Sequence, residues 1–325
     1  MMKKTLVALA AVAVTGGAFA QSVLSGDLAF GFSSATADQV TTSGMGLEWA
    51  DIYINATESI EGFGKLDVSF GLASDGGKGA GVTAGDHSMT LTMASGVKIK
   101  AESSTGSSYI AQGLASAGSA YEINLSNKLI SARSVNEAIS VTVPLGGGVS
   151  IVVAHAEADN DIGIGSGSSY AASAAQALQA TKTVSLKYAA GALSVDLGYR
   201  TYDSQTSSSE SSGNTKNRAS FSYDMGVAKI GAGVDQTSYT YGNTKTTSGV
   251  GINIPLGAVS IGGQFATVAT SGYSDSADNY TRNGSIFGAK YDLSKRTFLV
   301  GQYYSYDAGN TTNSSGYFVG LFNSF

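Results

Sequence analysis

The 325-residue chain has no cysteine, two prolines, one tryptophan and only two histidines. Without cysteine there is no disulfide scaffold, and His87 and His155 alone make no ligand set for a structural metal. Charged side chains form 13% of the sequence, about half of the ~25% of an average soluble domain. Asp and Glu (24) outnumber Lys and Arg (19), which argues against the basic clusters that nucleic-acid binders need. No apolar run reaches the length of a membrane-spanning helix. Aromatic and β-branched residues are spread throughout, which argues against a disordered chain.

What the chain does have is 43 glycines, 17 tyrosines and long stretches of two-residue alternation. Its start reads as an export signal: Lys3 and Lys4, an apolar stretch from Thr5 to Val14, then Ala18-Phe19-Ala20 before Gln21. The expectation is a cleaved leader at 1–20 and a mature domain at 21–325, its net charge lowered from −5 to about −7 by loss of the two lysines.

The last residues, Tyr317 to Phe325, are the most informative. Successive strand side chains face opposite sides, which puts Tyr317, Val319, Leu321 and Phe325 on one face and Gly316, Gly320 and Ser324 on the other. One face is apolar and the other reads as small or polar. A bilayer can cover the apolar row, and in lipid a strand survives only inside a closed barrel, where every backbone N–H and C=O is paired.

The same alternation recurs along the chain. Leu24, Leu28, Phe30 and Phe32 oppose Ser25, Asp27, Ala29 and Gly31; Leu66, Val68, Phe70 and Leu72 oppose Lys65, Asp67, Ser69 and Gly71. Val97, Ile99 and Ala101 oppose Lys98, Lys100 and Glu102 after the hairpin dipeptide Ser95-Gly96. Sixteen such segments are expected, joined alternately by short turns and by long Ser/Gly/Thr/Asn-rich loops, including 34–44, 104–130 and 159–180, the last with a short helix at 171–180. Both prolines, Pro144 and Pro255, sit in Pro-Leu-Gly turns that end strands. The segment from Met45 to Thr57 has a mixed pattern, with Trp49 and Tyr53 on one face and Ile52 and Ile54 on the other. It reads as packed on both sides, at a subunit contact.

The fold class expected is therefore all-β, a sixteen-stranded antiparallel transmembrane barrel. A Lys or Arg on the lipid face costs about 2–4 kcal/mol at the midplane, so the charged faces must look into a watery lumen. The candidate pore-lining residues are Lys65, Asp67, Lys98, Lys100, Glu102, Arg200, Arg218 and Lys229, with Tyr109 and Glu122 on the long segment 104–130. Lys187, Lys290, Asp27, Asp196, Asp224 and Asp235 share those faces. A catalytic barrel would need an activated nucleophile and a base, and the neighbours Asp86 and His87 point to opposite faces of a strand. Both histidines read as rim residues, and Gly163-x-Gly165-x-Gly167 reads as loop glycine, so neither enzyme activity nor a cofactor is expected.

Two stretches also resemble the general, non-specific porins of Gram-negative outer membranes. Tyr291-Asp292-Leu293-Ser294-Lys295-Arg296-Thr297 is similar to that family's run before the penultimate strand, and Val319 to Phe325 to its closing segment. Weaker similarities lie at Glu58 to Leu66 and Asn217 to Lys229. The resemblance implies a homotrimer in the outer membrane, with lipid around it. Each barrel would be a passive channel for ions and small hydrophilic solutes, narrowed by an inward third loop at 104–130. It further implies recognition of the strand ending in Phe325 by the barrel-insertion machinery. It places Lys65, Lys98 and Lys100 where part of a basic wall cluster belongs, although the segment 104–130 carries Glu122 as its single acid. A substrate-specific channel, and a barrel whose external loops serve adhesion or structure, are the alternatives.

Overall fold

The computed structural model describes residues 21–37, 39–75, 83–105, 135–156, 180–203, 213–307 and 314–325. The expected leader, most of the segment 104–130 with Tyr109 and Glu122, and the expected helix at 171–180 lie outside them.

The described chain closes into one antiparallel barrel in which each strand pairs with its sequence neighbours and the last pairs with the first. The strands are β1 (Gln21–Ala37), β2 (Val40–Ile60), β3 (Gly64–Asp75), β4 (Thr83–Met93), β5 (Lys98–Thr105), β6 (Val135–Gly146), β7 (Val149–Ala156) and β8 (Thr181–Ala190). They continue as β9 (Leu193–Tyr202), β10 (Gly213–Asp224), β11 (Lys229–Tyr239), β12 (Thr244–Leu256), β13 (Val259–Ser271), β14 (Thr281–Asp292), β15 (Thr297–Tyr306) and β16 (Ser314–Ser324). The number and order match the sequence expectation. Closure removes the free edges that an open sheet would present.

One end of the barrel carries short turns and both chain ends of the described domain. At Ser95-Gly96 the turn closes with Met93 N donating to Val97 O at 2.8 Å, and Gly96 adopts a φ of 84° that only glycine holds without strain. At the other end two connections differ from expectation. The stretch 34–44 is not a loop: β1 and β2 run on to the pair Ala37 and Val40, with Thr36 and Thr41 hydroxyls 2.8 Å apart. Between β11 and β12 the chain reverses in four residues, with Tyr239 N donating to Asn243 O at 2.9 Å. Ser/Thr-rich sequence that reads as loop is here ladder above the apolar belt, because β-branched threonine suits a strand whose two faces are both wet.

The alternation sorts the two faces. On β16, Tyr317, Val319 and Leu321 are 44%, 54% and 45% exposed on the outer face. The opposite face is not only small and polar. Phe318 and Phe322, 1% and 2% exposed, turn inward and pack with Ala29 and Val300. The Phe318 ring fits there because Gly31 and Gly320 lack side chains: a Cβ on Gly31 would stand 2.5 Å from Phe318 Cε2. Phe322 in turn stacks parallel on Phe298 at 5.1 Å.

β2 changes phase near its middle. Ala29 pairs with Trp49 but Phe30 pairs with Leu47, so residue 48 is an extra residue, a bulge that resets the inside–outside phase. Below it Ile52 is exposed on the outer face. Tyr53 faces the lumen and donates to Asp51 Oδ2 at 3.2 Å. The strand thus has one lumen-facing and one apolar outer face like its neighbours.

Candidate functional site: the lumen wall

The inward face follows from the register. Asp27 pairs with Asp51, Thr57 with Asp67, Asp67 with Thr90 and Thr90 with Lys100. Farther round, Lys187 pairs with Asp196, Asp196 with Ser220, Arg218 with Asp235 and Asp235 with Thr247. Residues opposite each other in adjacent strands share a face, so these side chains share the face opposite the exposed apolar rows. Lys65, Asp67, Lys98, Lys100, Glu102, Arg200, Arg218 and Lys229 all lie on it.

Four of the lysines on this face are matched closely to a carboxylate. Lys65 lies 2.8 Å from Asp67, Lys100 2.5 Å from Glu102, and Lys290 2.8 Å from Asp292. Each is an i, i+2 pair, neighbours on one face of one strand. Lys187 meets Asp196 across strands at 3.3 Å. Asp67 also accepts from Thr57 Oγ1 at 2.7 Å. Lys65 on β3 and Lys100 on β5 are therefore halves of ion pairs rather than parts of a bare basic cluster, while Lys98 faces Thr92 and Thr142. Paired charges keep a wall hydrated while lowering its net field.

The acids on β1 to β3 hold a different arrangement. Asp27 and Asp51 stand opposite each other, a like-charge pairing that costs free energy. Hydroxyl donors offset it: Ser324 Oγ donates to Asp27 Oδ1 at 2.5 Å and Tyr53 to Asp51.

Three cations on the inward face were not picked out from the sequence: Lys216, Lys245 and Arg282. Lys216 pairs with Arg200 on β9, Lys245 with Thr237 on β11, and Arg282 with Val268 on β13. All three sit where loop-like sequence hides the ends of strands. The signal that would have found them is continued alternation, Lys216-x-Arg218 and Lys245-x-Thr247.

Both histidines lie on the outer face toward the loop end. His87 stacks on Phe70 at 4.5 Å and its Nδ1 accepts from Gly71 N at 3.3 Å, while His155 pairs with Ile139 and Lys182. His87 is thus used in packing, and neither ring shares the lumen face with the carboxylates.

The Gram-negative porin family matches residues 5–311. None of the curated proteins matches significantly. Among solved structures, the anion-selective porin from Comamonas acidovorans is similar with a TM-score of 0.66 and 17% identity, over 94% of this chain and 100% of that one. OmpF of Salmonella typhi, in a complex with daunomycin, gives a TM-score of 0.73 and 11% identity over 94% and 97%. A variant porin of Rh. blastica gives 0.63 and 14% over 94% and 100%. These likenesses concern the fold. With a closed barrel, a charged interior, an apolar exterior and a family match over nearly the whole chain, the protein belongs to the Gram-negative porins, outer-membrane channels for passive diffusion.

Proposed function

We propose that this porin is a general pore: a water-filled hole through which ions and small hydrophilic solutes move down their gradients, with no catalytic step. The observation that carries the reading is the sorting of side chains by the sixteen-strand register, with ion pairs inside and a continuous apolar belt outside. A barrel of 16–18 strands leaves an aqueous channel rather than a packed core. The lumen charges keep it wet, because stripping an ion of water without compensation is costly.

Lys65, Asp67, Lys98, Lys100, Glu102, Arg200, Arg218 and Lys229 are the wall groups that passing ions would meet. Tyr109 and Glu122, on the segment 104–130, belong to the part of the chain expected to narrow the pore. Assembly as a homotrimer and recognition of the Phe325 strand by insertion machinery, which rest on family resemblance, and removal of residues 1–20, which rests on the leader pattern of Lys3 to Ala20, complete the reading. A solute-specific channel guided by aromatic side chains is less well supported, because the inward Phe318, Phe322 and Tyr304 are buried and Tyr53 is tied to Asp51.

The test is single-channel current from the refolded mature protein in a planar bilayer. Long-lived ohmic steps, arriving in threes, support the general trimeric pore. A folded barrel that passes no current overturns it. Deleting residues 107–119 should raise the conductance, and an unchanged value would mean that this segment does not narrow the channel.

A further inference from the structure

Five of the inward cations of β9 to β14 fall into two adjacent rows in the loop-end half of the barrel. One row runs Arg200, Lys216, Thr237, Lys245, Thr270 in consecutive pairings. The next, one step nearer the turn end, runs Arg218, Asp235, Thr247, Val268, Arg282. Among the described residues, five cations and one carboxylate share these two rows. Neighbouring strands lie about 4.8 Å apart, so Arg200, Lys216 and Arg218 stand on adjacent strands, and Lys245 and Arg282 follow at steps of two strands, about 10 Å each.

Arg200 and Arg282 are held by uncharged partners. Arg200 Nε donates to Thr183 Oγ1 at 2.9 Å. The Arg282 guanidinium lies 3.8 Å over the Tyr280 ring, and its Nε is shielded from solvent with no acceptor. Lys216 reaches Asp235 only loosely, at 3.8 Å. Lys245 is half-buried and feels the charges of Lys216, Asp235 and Arg282 together. Lys65, Lys100, Lys187 and Lys290, by contrast, sit 2.5–3.3 Å from their own carboxylates. Asp27, Asp51 and Asp67 occupy β1 to β3, across the barrel from β9 to β11.

We propose that the two rows form an oxyanion-binding arc, at which small phosphate-bearing solutes pause on their way through the lumen. Guanidinium groups match the planar, multi-oxygen face of phosphate, and the lysines add charge. A multivalent oxyanion relieves the mutual repulsion of the arc more than chloride does. The inference rests on the pore reading and adds a class of solute to it.

The experiment is ion current through the refolded mature protein at low ionic strength, titrated with inorganic phosphate. The expected result is a millimolar block of chloride current by phosphate, weakened about tenfold or more in a Lys245→Gln/Arg282→Gln variant, in line with loss of two charge-assisted contacts. A Lys290→Gln control should retain the block. Each variant is first checked for the folded, heat-modifiable band on a gel. If that double variant does not fold, Lys245→Gln alone is used. Open channels that ignore phosphate, or a block unchanged in the variant, overturn the arc. If the folded protein passes no current, the pore reading has failed, and phosphorus NMR of phosphate with detergent-folded protein decides the arc: line broadening lost in the variant supports it, and absence of broadening overturns it.

Discussion

Gly26 and Phe325 exchange two backbone hydrogen bonds, Gly26 N to Phe325 O at 3.0 Å and Phe325 N to Gly26 O at 2.9 Å. The final residue therefore completes the seam at which the barrel closes. The Phe325 ring lies over Gly26, where a Cβ would stand 2.5 Å from its Cζ. Gly26→Val should lower the fraction of barrel that folds into detergent or lipid, read as the heat-modifiable band. Phe325→Ala should destabilise by about 1 kcal/mol, roughly half the value for complete burial of such a side chain, because the ring is half exposed.

Phe318 and Gly320 make a second coupled pair inside the wall. A methyl group on Gly320 would collide with the Phe318 ring. Gly320→Ala should therefore cost about 1–3 kcal/mol by overpacking. In a Phe318→Ala background the same change should cost far less. Urea unfolding of the four proteins of that cycle gives the coupling; strict additivity would mean that the ring and the glycine do not compete for space.

The two faces of β12 should respond oppositely to charge. Val250 is exposed on the outer face, and Val250→Lys should cost about 2–4 kcal/mol if it sits near the bilayer midplane. Asn253, on the lumen face of the same strand, pairs with Lys229. Asn253→Lys should leave stability within about 1 kcal/mol and move the reversal potential toward anions. Equal effects at both positions would contradict the assignment of inside and outside.

Lys65 and Lys100 are each matched to a carboxylate two residues on. Exposed pairs contribute little to stability, so Lys65→Gln and Lys100→Gln should shift it by less than about 1 kcal/mol. Each leaves a carboxylate in the lumen without its lysine, and the reversal potential under a KCl gradient should move toward cation preference. The shift should shrink in concentrated salt, where the screening length falls to about 3 Å.

Local periodicity determined much of this protein. A two-residue repeat is visible in any short window, so the number of strands, their order, the apolar and charged faces and the terminal strand could all be read before any contact was known. Lys98, Lys100 and Arg218 declared their face by their apolar neighbours. Only the tertiary structure decided what pairing between strands controls. The extra residue at position 48 re-phases β2, so that Met45 and Leu47 before it share a face with Ile52 and Ile54 after it, but a bulge exists only relative to a partner strand. The Phe318 ring packs against the inner wall because Gly31 on β1, far away in sequence, leaves room for it. Lys216, Lys245 and Arg282 join Arg200 and Arg218 because the register of six strands brings them level. Periodicity is a property of one strand, whereas register is a property of pairs, and the charge balance of a barrel wall is set by register.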